Sequence, residues 1–121
     1  MEGINGGKME KIAFVMKIKP ERVNDYIEIH KKGSVWPQVL ENIDKSGMKK
    51  MVIFMLENNA IVYVEAEDTK KAFDYLGKQP TTIEWNEVTA PFMDTQPRYG
   101  QEEAVEMLQC VFDFENGKQL N

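Results

Sequence analysis

The only histidine of this chain, His30, stands four residues after Tyr26 and six before Trp36. Four residues are about one helical turn, so on a helix the phenol and the imidazole project from the same side. Val23 and Ile27 share that side, which directs the pair inward. An imidazole gives and takes protons near neutral pH, so the chemistry on offer is general acid–base transfer. A lone histidine on an apolar face is commonly just a hydrogen-bonded core residue. A tyrosine one turn back and a tryptophan just ahead favour instead a wet, aromatic-lined pocket.

Other chemistries find little support. No phosphate-cradling glycine loop or nucleophile elbow is present, and Gly6-Gly7 lacks a following helix. One histidine and one cysteine make no dedicated zinc site. Asp25, Glu28, Glu102 and Glu103 read as solvated charges. Cys110, flanked by Leu108 and Phe112 in an expected strand, reads as a buried, inert thiol. The eight methionines, among them Met16, Met51 and Met55, read as core filler.

The elements that must position the Tyr26–His30 pair follow from patterning. With 121 residues the chain holds one domain with one modest core. Met1 to Lys8 reads as a flexible extension, and residues 9–121 as a single domain. Ile12 to Ile18 is apolar on both faces and reads as a strand buried on both sides. Pro20 opens a helix through His30 that Gly33 stops; Ser34 caps a second piece that ends at Gly47. Met51 to Leu56 and Ile61 to Ala66 are strands around a Glu57-Asn58-Asn59-Ala60 turn. Asp68 caps a third helix, Pro80 restarts helical structure through Trp85 until Pro91, and Asp94 to Gly100 is a loop. Met107 to Phe114 is the closing strand.

That order is an α+β, ferredoxin-like βαββαβ sandwich. An internal echo supports it: at one fixed offset Asp25-Tyr26 matches Asp74-Tyr75, and Trp36 matches Trp85. Ala13 and Val15 lie opposite Phe14 and Met16, and Ile61 and Tyr63 opposite Val62 and Val64. A single chain would leave one apolar sheet face open. A homodimer packed sheet to sheet, an α/β barrel-type assembly, is therefore expected.

Charge and hydropathy narrow the partners. A net charge of −5, with no dense run of Lys and Arg, argues against nucleic acid. No stretch approaches the roughly 20 apolar residues of a membrane span, and the first ten residues lack the apolar run of a signal peptide. The expected location is cytoplasmic.

At this level the chain resembles the L-rhamnose mutarotase family. The likeness rests on AFVMKIKPERVNDYIEIH (Ala13 to His30), VWPQVLENIDKSG (Val35 to Gly47), the hairpin strands, the helix with Trp85, and MLQCVFDF (Met107 to Phe114). It implies a ferredoxin-like dimer, without metal or organic cofactor, that interconverts the α and β anomers of L-rhamnose. It also implies His30 as the proton donor, Tyr26 as a sugar-binding tyrosine, and Trp85 as the first of two tandem sugar-site tryptophans. Asn86 stands where the second would be, Met51 replaces a further sugar-contacting tyrosine, and the loop from His30 to Trp36 is two residues longer. These departures bear on sugar specificity.

The residues suit that chemistry on their own terms. Anomer exchange protonates the ring oxygen, removes the O1 proton, rotates the open aldehyde and recloses the ring, all within reach of a neutral-pH proton shuttle. The faces of Trp36 and Trp85 can cover the apolar side of a sugar while the Tyr26 hydroxyl fixes a ring hydroxyl. Trp36, in a Trp-Pro pair at a helix start, has packing as its plainer role. Two rivals remain: a mutarotase for another 6-deoxy or related sugar, and a dimeric ferredoxin-like monooxygenase. A non-catalytic sugar-responsive dimer is a third.

Overall fold

The computed structural model describes residues 9–94 and 106–121, so the N-terminal extension and most of the Asp94–Gly100 loop lie outside the described residues. Strand β1 (Glu10–Lys17) leads through a short 3-10 turn at Pro20–Arg22 into α1 (Val23–Ile29). Then come α2 (Pro37–Lys45), β2 (Met48–Leu56), β3 (Asn59–Ala66), α3 (Thr69–Gly77), α4 (Pro80–Thr89) and a second 3-10 turn at Ala90–Phe92. Strand β4 (Glu106–Met107) closes a four-stranded antiparallel sheet in the order β2-β3-β1-β4. The ferredoxin-like arrangement expected from the element order is the observed one.

Period-two patterning decides which strand face meets the helices. Phe14, Val62 and Ile53 are cross-strand neighbours on the inner face. With Met16, Ile18, Val64, Ala60 and Ala66 they build the core, where Ile18 and Val64 are fully buried. Helix α3 supplies Ala72 and Leu76 at i, i+4, and Phe73 meets Phe14 edge to face at 5.7 Å. Its start is capped by Asp68, whose carboxylate accepts from the Lys71 N–H at 3.0 Å. On the outer face Val15 pairs across to Ile61 and Phe54, but Phe54 and Leu56 remain 62% and 60% exposed.

Several boundaries differ from expectation for local reasons. Gly33 adopts φ +92, a conformation open to glycine, and separates α1 from α2. The residue flanking α2 is Trp36 rather than Ser34, because Pro37 at the first helical position brings its own φ and has no N–H to satisfy. Strand β2 begins at Met48, three residues early. Pairing also captures Asn59 and Ala60, so the hairpin turn shrinks to Glu57-Asn58, with Glu57 at φ +56. The Asn58 amide donates to the Ile18 carbonyl at 2.8 Å and ties that turn to the end of β1.

The closing strand is the main correction. Among the described residues, Glu106 and Met107 pair with β1, extended by a bond from the Leu108 N–H to the Ala13 carbonyl at 2.8 Å. Residues 108–113 then run outside the sheet. Phe114–Glu115 and Lys118–Gln119 form a small hairpin (β5 and β6) whose turn places Asn116 and Gly117 at positive φ. Cys110 is accordingly exposed, not buried in a strand, and Val111 is 78% exposed. What holds this segment is charge: Lys11 Nζ donates to both carboxylate oxygens of Asp113, at 2.8 and 3.0 Å, and to Glu115 at 2.6 Å. Alternating apolar residues are a strand signal only where a partner edge is free, and here an ion cluster competes with the ladder.

Beside that cluster the Tyr63 hydroxyl donates to Glu65 at 2.6 Å. Burial, with the Glu65 carboxylate adding to it, pushes the phenol up from 10.0 to about 12. A raised value favours the protonated phenol in the fold, so this stabilisation is complete below pH 10 and is lost as pH rises toward 12. In an alkaline absorbance titration Tyr63 should ionise late, and Tyr63→Phe should remove its share of the late absorbance rise. Identical titrations of wild type and Tyr63→Phe above pH 10 would contradict it.

Candidate active site

Between the inner sheet face and the helical layer lies a cavity of about 540 Å³, within the range of small-molecule sites. Its sheet side is apolar: Phe14, Met16, Met51, Ile53 and Val62. Tyr26, His30, Trp85, Asn86, Thr82 and Thr89 come from α1 and α4. The rest is mainly aliphatic, from α2 and the loop before it.

Tyr26 and His30 lie as one helical turn predicts, with ring centroids 4.5 Å apart. Tyr26 is buried at 4% exposure and His30 is half-buried at the residue that ends α1. Ile27, expected on the same inward side, is instead 39% exposed, because its position in the turn faces away from the sheet. The Nδ1 atom of His30 lies 2.7 Å from the Tyr26 carbonyl oxygen. A carbonyl can only accept, so in this contact Nδ1 is the donor, and Nε2 is the ring nitrogen left open.

The two tryptophans, on separate elements, meet edge to face at 5.0 Å, and Trp85 stands edge-on to His30 at 6.0 Å. Trp85 is 9% exposed and lines the cavity; Trp36 packs against it and is not among the lining residues. The structure thus brings Tyr26, His30 and Trp85 to one cavity, with Trp36 as the support of Trp85.

Sequence patterning alone passed over a polar stripe on α4. Thr82, Trp85, Asn86 and Thr89 follow the i, i+3, i+4, i+7 spacing of a single helix face, and that face lines the cavity. Three polar residues of four mask it as solvent-facing in a hydrophobicity scan, and the spacing was the available signal. Behind it lies Asn42 of α2, 4% exposed, which accepts from the Gln38 amide at 3.0 Å and donates to the Thr82 hydroxyl at 3.4 Å. A second feature is a β-bulge between Met48 and Lys50. Bulges re-aim side chains, and this one sets Lys49 and Lys50 with Asp44 at the cavity rim. Among the described residues no three His, Cys, Asp or Glu side chains converge to hold a metal ion, and no helix is long and apolar enough to cross a membrane.

Comparison with known proteins is consistent with this geometry. Residues 11–114 match the family model described as rhaM, L-rhamnose mutarotase. No curated protein sequence gives a significant match. Among solved structures the chain is similar to the crystal structure of an L-rhamnose mutarotase from Formosa agariphila, at TM-score 0.70 and 21% identity over 88% of this chain and 99% of the other. At that identity the likeness speaks to the fold.

Asn42 gives the packing a direct test. Asn42→Ala removes both of its hydrogen bonds at a buried site, and should lower the unfolding free energy by about 1–3 kcal/mol in urea. Trp36 and Trp85, the only two tryptophans, report the loss by fluorescence. An unchanged midpoint would mean that the α2–α4 contact does not rest on Asn42.

Proposed function

The chain belongs to the L-rhamnose mutarotase family, enzymes that interconvert the anomers of this sugar, and we propose that His30 is the residue that moves the proton. The observation that carries this is the Nδ1 contact with the Tyr26 carbonyl, which leaves Nε2 to exchange protons inside a cavity walled by Tyr26 and Trp85. Protonated Nε2 gives its proton to the ring oxygen as the C1–O5 bond breaks, and the O1 proton passes to water. The free aldehyde turns about C1–C2. On closure at the opposite face, the O5 proton returns to Nε2 and O1 regains a proton from water. Protons balance over the cycle, and no oxidant is consumed.

The remaining side chains hold the sugar. Trp85 offers a flat apolar face to its C–H side, and Trp36 keeps that face upright. The sheet side, with Met51 and Ile53, gives an apolar contact, while the Tyr26 hydroxyl reaches a ring hydroxyl.

We further propose a cytoplasmic homodimer packed through the outer sheet face. The exposure of Phe54 and Leu56 beside Val15 and Ile61 supports a second copy there, since scattered apolar residues are ordinary but a contiguous patch marks an interface. The free Cys110 thiol fits a reducing compartment.

The test is His30→Asn, followed by saturation-transfer NMR on the anomeric protons of L-rhamnose, with melting temperature measured on the same preparation. A proton shuttle predicts loss of exchange by roughly 10²–10⁴-fold with little change in sugar affinity. A destabilised variant with wild-type exchange would remove His30 from the chemistry. Wild-type exchange should also survive exhaustive EDTA treatment; activity lost and then restored by a divalent ion would overturn the metal-free course. For the dimer, light scattering at micromolar concentration should give about twice the 14.0 kDa chain mass, and a well-folded monomer would contradict it.

A further inference from the structure

Asn42 is buried in α2 against α4, yet it is not among the residues that line the cavity. Thr82, which it contacts, does line the cavity and is 5% exposed. Stability is a thin reason for this polar pair. The bond from Asn42 Nδ2 to Thr82 Oγ1 is 3.4 Å long, beyond the roughly 2.7–3.2 Å of a strong contact. Two apolar side chains of the same shape would pack there at little cost.

The two buried threonines of α4 use their hydroxyls differently. Thr89 donates to the Asn86 carbonyl at 3.2 Å, a bond within its own helix. Thr82 makes no such bond. Its oxygen accepts from Asn42, and among the described residues its O–H has no acceptor. The direction is set upstream, where the Gln38 amide donates to Asn42 Oδ1 at 3.0 Å and leaves Nδ2 to face Thr82. The run from Gln38 through Asn42 to Thr82 is therefore one-way, and it ends on a hydroxyl proton at the cavity wall. A buried donor without an acceptor is costly, so the occupant that satisfies it brings an oxygen.

Resting on the mutarotase reading of the cavity, we propose that Asn42 is a positioning residue: it holds Thr82 so that its hydroxyl donates to one ring-hydroxyl oxygen of the bound sugar. Without Asn42, the Thr82 O–H turns back to a carbonyl one turn earlier in its own helix, as helical threonines do. Asn42 touches neither the sugar nor the proton that moves. It acts from outside the cavity, through Thr82.

The experiment separates this role from packing. Asn42→Val, Thr82→Val, their double variant and Thr82→Ser are titrated by NMR with L-rhamnose and its 2-, 3- and 4-deoxy analogues, and melting temperature is measured on each. In wild type one deoxy analogue should bind roughly tenfold more weakly than L-rhamnose, the loss typical of one hydrogen bond. In both single valine variants and in the double, L-rhamnose should weaken by a similar factor and that deoxy penalty should vanish. Thr82→Ser, which keeps the hydroxyl, should hold both the affinity and the penalty. Each single valine should lower the melting temperature, because it leaves a buried partner unpaired, and the double should recover it. A purely structural pair predicts the opposite: sugar affinity that falls with melting temperature in the single variants and returns in the double. That result, or equal deoxy penalties in wild type and Asn42→Val, would overturn the assignment and leave the mutarotase reading intact. Wild-type protein that neither binds nor exchanges any of these sugars would overturn both.

Discussion

Four aromatic rings on three elements hold the helical layer of this molecule in register. Tyr26 comes from α1 and His30 from the residue that caps its end, Trp85 from α4, and Trp36 from the residue just before α2; successive centroids lie 4.5, 6.0 and 5.0 Å apart. Each helix is short, seven to ten residues, and would be marginal alone. Edge-to-face contacts between bulky rings fix the separation of such helices as aliphatic packing would not. The helices are braced apart as well as together, and the inner sheet face is left partly uncovered. The cavity is a consequence of that brace, and the one histidine is part of the brace itself.

This double role explains the histidine's hydrogen bond. A residue at the end of a helix has its side chain within reach of the carbonyls one turn back, and His30 uses that of Tyr26. The bond fixes ring orientation and tautomer by purely local geometry, with no carboxylate partner needed. Mutarotation asks for little more: a proton held at a known atom, a flat face for the sugar and a polar group to orient it.

Much of this was legible in the chain. Strand alternation from Ile12 to Ile18, the prolines at Pro20, Pro37 and Pro80, and the glycines at Gly33 and Gly47 specify the βαββαβ order through local rules. The Tyr26–His30 spacing and the paired tryptophans pointed to residues that the fold does bring together. The sequence signal failed at the C-terminal segment, where the apolar pattern of MLQCVFDF reads as a strand. Pairing there does not run on past Met107 as a ladder, and Lys11 takes hold of Asp113 and Glu115 more than a hundred positions away. Asn42 was hidden for a related reason, since a buried polar side chain is recognisable only once its partner Thr82, forty residues on, is known. Trp36 belongs to a third kind: residue type suggested a face for sugar, and its position is against the Trp85 ring, which lines the cavity.

The central claim is that His30 keeps its Nδ1 proton on the Tyr26 carbonyl and trades protons through Nε2. Because the chain has a single histidine, long-range proton–nitrogen NMR reads its tautomer without assignment ambiguity. In the neutral ring, Nδ1 should show the shift of a protonated, pyrrole-type nitrogen and Nε2 that of an unprotonated, pyridine-type one. Addition of L-rhamnose should move the Nε2 signal more than the Nδ1 signal. The opposite tautomer, or a sugar response confined to Nδ1, would contradict the account.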